Sequence, residues 1–346
     1  MPIPDQGALS VAPGVHRARL ESWLESTLGA DALPFSLTPV QGGASNLTYR
    51  IERSGRSYCL RRPPLVSNDP SSNSMRRELQ LLRALSRTTV PHPRLVAACE
   101  DETILGAPFA LMEWIDGFTA KDPLPEPFAS DVNVRHGMAH ELIDTLARIG
   151  NLDWRSIGLE GFGKPEGFLE RQVDRWLGQL TRSQARELPH FKALADWLRA
   201  HTPKMQRAAL MHGDYQFVNV MFARSLPVQL AAVVDWESAT IGDPLLDLGW
   251  VLALWPQEGE DSQFPPYLGW MHFPPRSELA ARYHAGTGLD TSALPFYMVL
   301  ALFKLAVIME GWYTKFRHGQ TSHPAHAAAE HDVPEMLARA ARFARL

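Results

Sequence analysis

The sequence predicts an α+β chain of two lobes: a small antiparallel-sheet lobe over residues 1–115 and a larger helical lobe over residues 116–346. Three observations predict it. Alternating apolar residues with turn signals run from Leu37 to Trp114, helical periodicity takes over after Gly117, and 346 residues suffice for two bodies. Apolar residues make up 45% and charged residues 21%, so the chain can bury a core and is neither a disordered tail nor a fibre.

The elements follow in order. Val15 to Leu28 spaces Leu20, Leu24 and Leu28 four apart, one face of a helix. From Leu37 the pattern alternates and carries two turn signals, Gly42-Gly43 and Ser54-Gly55. Three short antiparallel strands result, with Tyr49-Ile51 and Tyr58-Leu60 paired around Ser54-Gly55. Ser72 to Ser86 is a helix with Ser72 or Asn73 as N-cap. Leu95-Ala98 and Phe109-Trp114 are two further strands around the charged turn Glu100-Asp101-Glu102. Beyond Gly117, helices are expected at His136–Ile149, Phe168–Leu180, Phe191–Arg199, Asp247–Trp255, Arg276–His284, Leu294–Phe316 and Pro334–Phe343. Ala208-Met211 and Val228-Val234 are short strands among them, the second buried by its β-branching. No internal repeat or low-complexity tract interrupts this order.

Bulk features exclude several function classes. The net charge is −4, so no basic excess points to nucleic acid. Cys59 and Cys99 form no C-x-x-C pair, and free core thiols are the expectation. The N-terminus lacks a basic segment followed by an apolar one, so no secretory signal is visible, and a cytoplasmic location is expected. The most apolar stretch, Phe296 to Ile308, contains Lys304 and is bounded by Glu310. It reads as a buried helix and not a bilayer span, and no membrane partner is expected. The basic side chains are 28 Arg and only 6 Lys, and the first lysine is Lys121. Residues 1–120 therefore contain no lysine that could bind phosphate.

The strongest chemical signal is Met211-His212-Gly213-Asp214-Tyr215-Gln216-Phe217-Val218-Asn219, flanked by apolar strand-like runs. A buried segment has no packing use for His, Asp, Gln and Asn together. Asp235 follows Asn219 by sixteen residues, at the C-terminal end of the strand Ala231-Val234. Hard cations such as Mg²⁺ take oxygen ligands and keep phosphates in their shell. Asn219 and Asp235 suit such an ion, which leaves Asp214 to accept a proton. That is the division of labour of phosphoryl transfer.

HGD-x₄-N, then a hydrophobic strand ending in Asp235-Trp236-Glu237, then Gly242-Asp243-Pro244 with Asp247-Leu248, resembles the aminoglycoside phosphotransferase and choline-kinase-like group. The resemblance covers nearly the whole chain. The run Leu60-Arg61-Arg62-Pro63-Pro64 and the segments Cys99 to Gly117 and Phe162 to Trp176 are most similar to phosphotransferase-like domains associated with acyl-CoA dehydrogenases. The resemblance implies a protein-kinase-like fold and an ATP- and Mg²⁺-dependent kinase acting on a small-molecule hydroxyl. It implies Asp214 as catalytic base and Asn219 and Asp235 as metal ligands. Gly42, Gly43, Ala44, Ser45 and Asn46 match its nucleotide-positioning loop. Arg61 falls where the family's strand lysine holds phosphates, and Glu78 where a helix carboxylate pairs with that lysine. The main chain from Glu113 to Ile115 matches the hinge that reads adenine.

Two positions depart from the family pattern. Arg61 replaces lysine, keeping the charge with a planar fork of donors. Gly150 sits where a histidine is common. His212 and Asp247 are expected to brace the loop, not to exchange protons. Asp243 is expected to cap or turn the chain. His318, His323, His326 and His331 read as a solvated loop, and Arg339, Arg342 and Arg345 as a solvated helix face. For the acceptor, a hydroxyacyl-CoA stands beside an aminoglycoside. The mild acidity of the chain and its terminal arginines argue against the polycationic antibiotic. A functional link to a separate acyl-CoA dehydrogenase is the expected partnership. A nucleotide-binding pseudokinase is the alternative that Arg61 raises, and the intact Asp214, Asn219 and Asp235 oppose it.

Overall fold

Ser54 and Gly55 both take positive φ, 51° and 71°, and fold the chain back as a two-residue hairpin. The hairpin joins β2 (Leu47–Arg53) to β3 (Arg56–Arg62). Tyr49 stands opposite Leu60 and Ile51 opposite Tyr58, the register their alternation requires. The computed structural model describes residues 14–31, 33–40, 46–64, 69–120, 123–183, 186–256 and 273–346. The chain divides into two units, Met1–Thr88 with His92–Asp116, and Thr89–Pro91 with Gly117–Leu346.

The first unit also contains α1 (Arg17–Leu28), β1 (Ser36–Pro39), α2 (Asp69–Leu85), β4 (Leu95–Cys99), α3 (Glu102–Leu105) and β5 (Phe109–Glu113). Its sheet is antiparallel, in the order β1-β2-β3-β5-β4. Leu20 and Leu24 of α1 pack with Ile51, Leu60, Phe109 and Leu111, all essentially without solvent exposure. Each such side chain contributes roughly 1.5–3 kcal/mol when fully buried.

Two expectations need correction here. The helix α2 starts at Asp69, so Ser72 and Asn73 lie inside it and not at its cap. Pro70 falls in the first turn, where its missing N–H costs nothing. The charged turn after β4 becomes a helical turn, because the Asp101 side chain accepts from Thr103 N at 2.9 Å and caps it.

The second unit contains β6 (Phe118–Thr119), α4 (Val132–Gly150), α5 (Gln172–Ser183), α6 (Phe191–Ala200), β7 (Ala209–Met211), β8 (Val220–Phe222), β9 (Leu230–Val233), β10 (Thr240–Gly242), α7 (Leu245–Leu254), α8 (Arg276–Thr287), α9 (Leu294–Arg317) and α10 (Pro324–Ala344). Small antiparallel sheets, β10-β7 and β6-β8-β9, carry the HGD segment between them. This is a two-lobed α+β fold, with the sheet-rich unit first and the helix-rich unit second.

α9 spans 24 residues, one beyond the Leu294–Phe316 helix expected. It is long and apolar enough to cross a membrane, but 72% of its most apolar window is buried inside the protein, which identifies a core helix.

α10 begins at Pro324, ten residues before the start expected from Pro334. Pro334 has no N–H for the carbonyl four residues earlier. Arg186 compensates by donating to Glu330 O at 2.7 Å and Ala329 O at 3.0 Å, while pairing with the buried Glu310 at 3.2 Å. Of the four histidines, His318 and His323 do lie exposed in the connection between α9 and α10, whereas His326 and His331 belong to the helix and not to a loop. His323 caps α10, His326 stacks on Trp312 with centroids 5.4 Å apart, and His331 lies within the helix. The terminal arginines are not one solvated face either. Arg339 is buried and donates to Trp255 O at 3.0 Å, whereas Arg342 and Arg345 are exposed. A three-residue step falls short of a 3.6-residue turn, so the three side chains drift around the helix.

Candidate active site

The HGD segment leaves β7 at Met211 and returns to β8 through a single 3₁₀ turn, Phe217–Asn219. Asp247, buried in the first turn of α7, holds it. Its carboxylate accepts from His212 N at 2.6 Å and Gly213 N at 2.9 Å. Burial pushes the Asp247 carboxyl up to about 6, and the two N–H bonds and Lys304 oppose that rise. Gly213 sits at φ +81°, and a Cβ there would meet Ser238 O at 2.4 Å. Only glycine fits so close an approach.

His212 is buried, and its ring is fixed on both sides. Nε2 lies 2.9 Å from Val234 O, and Nδ1 lies 3.3 Å from Asp214 N. The first contact makes Nε2 the donor and the second makes Nδ1 the acceptor. That neutral tautomer braces the loop and leaves no nitrogen for proton exchange with a substrate.

Asp214 is oriented by two amides. Gln216 Nε2 donates to Oδ1 at 2.7 Å, and Asn219 Nδ2 donates to Oδ2 at 2.8 Å. Asn219 Nδ2 also donates to the Asp214 main-chain oxygen at 2.8 Å. Both partners of Nδ2 are acceptors, so the amide orientation is fixed and Oδ1 of Asn219 is the atom left to bind a cation. Asp235 follows β9 in the left-handed region, φ 64° and ψ 58°, a conformation that costs a non-glycine residue energy and is concentrated at functional sites. Its negative charge adds to the burial that pushes the Asp214 carboxyl up to about 6. Asn219 and Asp235 offer oxygen atoms only, which suits Mg²⁺ with phosphate and water completing the shell. Among the described residues no group of three or more His, Cys, Asp or Glu forms a metal cage.

Lys304, from the middle of α9, is the site residue that motif reading missed. Its Nζ donates to Gly213 O and lies 4.4 Å from the ring centre of Trp250. Its charge pulls the Asp214 and Asp247 carboxyls down against their burial. The available signal was a lone lysine inside an apolar run, in a chain with only 6 lysines.

In the first unit, Arg61 on β3 pairs with Glu78 on α2, Nε to Oε1 at 3.3 Å, with Glu78 buried. Adjacent strand residues point to opposite faces. Arg62 accordingly turns into the core and donates to Leu105 O at 2.8 Å and Pro63 O at 2.9 Å. Glu113 ends β5, opposite Tyr58, and donates its N–H to Arg94 O at 2.9 Å, so Ile115 lies beyond the ladder. Asn46 precedes β2, while Gly42, Gly43 and Ser45 fall outside the described residues. Gly150 closes α4, and a Cβ there would meet the Tyr283 hydroxyl at 2.9 Å. That hydroxyl occupies the space a histidine side chain would enter.

Comparison with known proteins matches residues 36–282 to the model of the phosphotransferase enzyme family. The chain belongs to that family. This phosphotransferase is 31% identical to acyl-CoA dehydrogenase family member 10 of Mus musculus, over 92% of this chain and 30% of the relative. It therefore spans about a third of that relative's length. A solved Ralstonia eutropha structure, provisionally named an aminoglycoside phosphotransferase, is 28% identical with a TM-score of 0.82, covering 95% of this chain and 98% of that one. The aminoglycoside phosphotransferase APH(4)-Ia, solved with ADP and hygromycin B, shares the fold at 14% identity and a TM-score of 0.60, over 93% of this chain and 99% of that one. The phosphotransferase is thus an enzyme that transfers phosphate to a hydroxyl group.

Proposed function

We propose that this phosphotransferase is a cytoplasmic, ATP- and Mg²⁺-dependent kinase that phosphorylates the hydroxyl of a hydroxyacyl-CoA. The observation that carries the kinase reading is the clamp on Asp214, whose two carboxylate oxygens are fixed by Gln216 and Asn219 in a loop held by Asp247. A fixed carboxylate aligns the acceptor hydroxyl and takes its proton as the new O–P bond forms and the bond to the ADP oxygen breaks. Asn219 Oδ1 and Asp235 are the groups that would hold Mg²⁺, which when bound neutralises charge on the phosphates. Arg61, steadied by Glu78, binds phosphate oxygens of the nucleotide. The ADP in the APH(4)-Ia complex supports an adenine nucleotide as donor.

The acyl-CoA acceptor is supported by the relatives named acyl-CoA dehydrogenase family members, in which the matching segment is part of a longer chain. Phosphorylation turns the hydroxyl into a leaving group; the relatives carry the matching segment within one longer chain and lend no support to a separate dehydrogenase as partner. The test is Asp214→Asn. Turnover of a hydroxyacyl-CoA is expected to fall about 10²–10⁴-fold, the range of a lost general base, with ATP binding retained. Full activity in that variant overturns the mechanism. Turnover of aminoglycosides with no turnover of any hydroxyacyl-CoA overturns the acceptor.

A further inference from the structure

A groove of about 600 Å³ runs between α5 and α9, lined by Gln179 and Arg182 on one side and by Ile308, Trp312 and Lys315 on the other, with His318 at its end. On α9, Lys304, Ile308, Gly311, Lys315 and His318 recur at steps of three and four and share one face. Lys304 on that face donates to Gly213 O in the catalytic loop. On α5, Arg175, Gln179 and Arg182 likewise share a face, and Trp176 lies 5.9 Å from the Lys304 ammonium. Both helices therefore run away from the catalytic loop, and the groove lies farther along them, beyond Trp176 and Lys304. Lys304 to Lys315 is eleven residues, about 16 Å of helix.

The groove is apolar in its middle and cationic at its far end. Ile308 and Trp312 supply the apolar wall, and Arg182, Lys315 and His318 the polar terminus. Among the described residues neither Arg182 nor Lys315 has a carboxylate partner. Three other surface cations of the same unit do have one: Arg199 pairs with Asp174, Lys192 with Asp196, and Arg282 with Asp144. In a chain of net charge −4, a basic end left without acids is suited to an anion.

We propose that this groove is the subsite for the phosphate-bearing end of the acceptor, with the connecting chain lying on Ile308 and Trp312 and the hydroxyl delivered to Asp214. The proposal rests on the acyl-CoA reading above and specifies how that acceptor would be held. The double variant Arg182→Glu/Lys315→Glu tests it, because both side chains are exposed and neither contributes to the catalytic loop. Wild-type and variant enzymes are compared on a hydroxyacyl-CoA and on the same hydroxyacyl group carried by N-acetylcysteamine, which has no phosphate. The expected result is a KM for the CoA ester raised tenfold or more, with its kcat, the KM for ATP and the KM for the phosphate-free thioester unchanged. Arg182→Lys/Lys315→Arg is expected to restore the CoA ester's KM. If the variant keeps the wild-type KM for the CoA ester, the groove proposal is overturned and the acceptor reading stands. If the wild type phosphorylates neither thioester, the acceptor reading fails, and calorimetry with free coenzyme A decides the groove. Binding to wild type that is lost in the variant supports it, and absence of binding overturns it.

Discussion

Lys304 donates to the main-chain oxygen of Gly213, so the 24-residue helix α9 bonds directly to the residue before Asp214. The contact offsets two costs. The Gly213 carbonyl points into a partly buried site, and the ammonium itself is desolvated, which lowers its pKa. The Trp250 face and the carboxylates of Asp214 and Asp247 compensate the ammonium.

Lys304→Met is expected to lower kcat by ten- to a hundredfold, about 1.4–2.8 kcal/mol of lost positioning, with little change in the KM for ATP. Lys304→Arg keeps the charge and a donor and is expected to recover part of the loss. Steady-state kinetics on the two variants check this, and equal activity in Met and wild type would remove Lys304 from the machinery.

Arg61 is held at 3.3 Å from Glu78, so its charge is placed even though the lobe has no lysine to offer. Arg61→Ala is expected to raise the KM for ATP by at least tenfold, the scale of one lost charge-assisted contact. Arg61→Lys is expected to bind ATP better than the alanine variant, since a point charge still reaches phosphate. If alanine, lysine and arginine bind nucleotide equally, Arg61 has no role at the phosphates.

Asp243 makes a stability prediction with a definite sign. Burial pushes its carboxyl up to about 6, against the bonds from Tyr297 and Leu245 N. An unfolded aspartate titrates near 3.9. Between roughly pH 4 and 6 the folded state therefore holds the proton that the unfolded state has lost, so stability rises as pH falls through about 6. The contribution is of order 1–3 kcal/mol, fully present below about pH 4 and lost above about pH 6. Asp243→Asn carries no titrating proton, so its melting temperature should gain less than wild type between pH 7 and pH 5. Parallel thermal melts at the two pH values measure the difference.

Much of the fold was legible because its signals are local. Ser54-Gly55 fixed the hairpin register, and the spacing of Leu20 and Leu24 fixed the buried face of α1. The HGD-x₄-N motif was legible because it packs three polar side chains, His212, Asp214 and Asn219, into eight residues. What escaped depends on partners distant in sequence. Pro334, expected to start a helix, lies inside one, where Arg186 bonds the freed Glu330 carbonyl, and Lys304 sits 91 residues from the glycine it holds. Arg339 looked like a surface arginine because nothing near it in sequence reveals the Trp255 carbonyl.

Gly150 and Tyr283 give the last prediction, and it separates packing from chemistry. A Cβ at 150 would sit 2.9 Å from the Tyr283 hydroxyl and 3.4 Å from Pro244 Cβ, so only the first contact requires something to shift. Alanine in a helix is otherwise favoured over glycine by up to about 1 kcal/mol. In the wild-type background the clash should cancel that gain, leaving Gly150→Ala neutral or destabilising. In a Tyr283→Phe background the obstructing oxygen is gone, and the same substitution should stabilise by about 0.5–1 kcal/mol. A double-mutant cycle read by denaturant unfolding should therefore show coupling between the two sites. Strict additivity would mean that the hydroxyl moves aside freely, and that a histidine's absence at 150 has nothing to do with Tyr283.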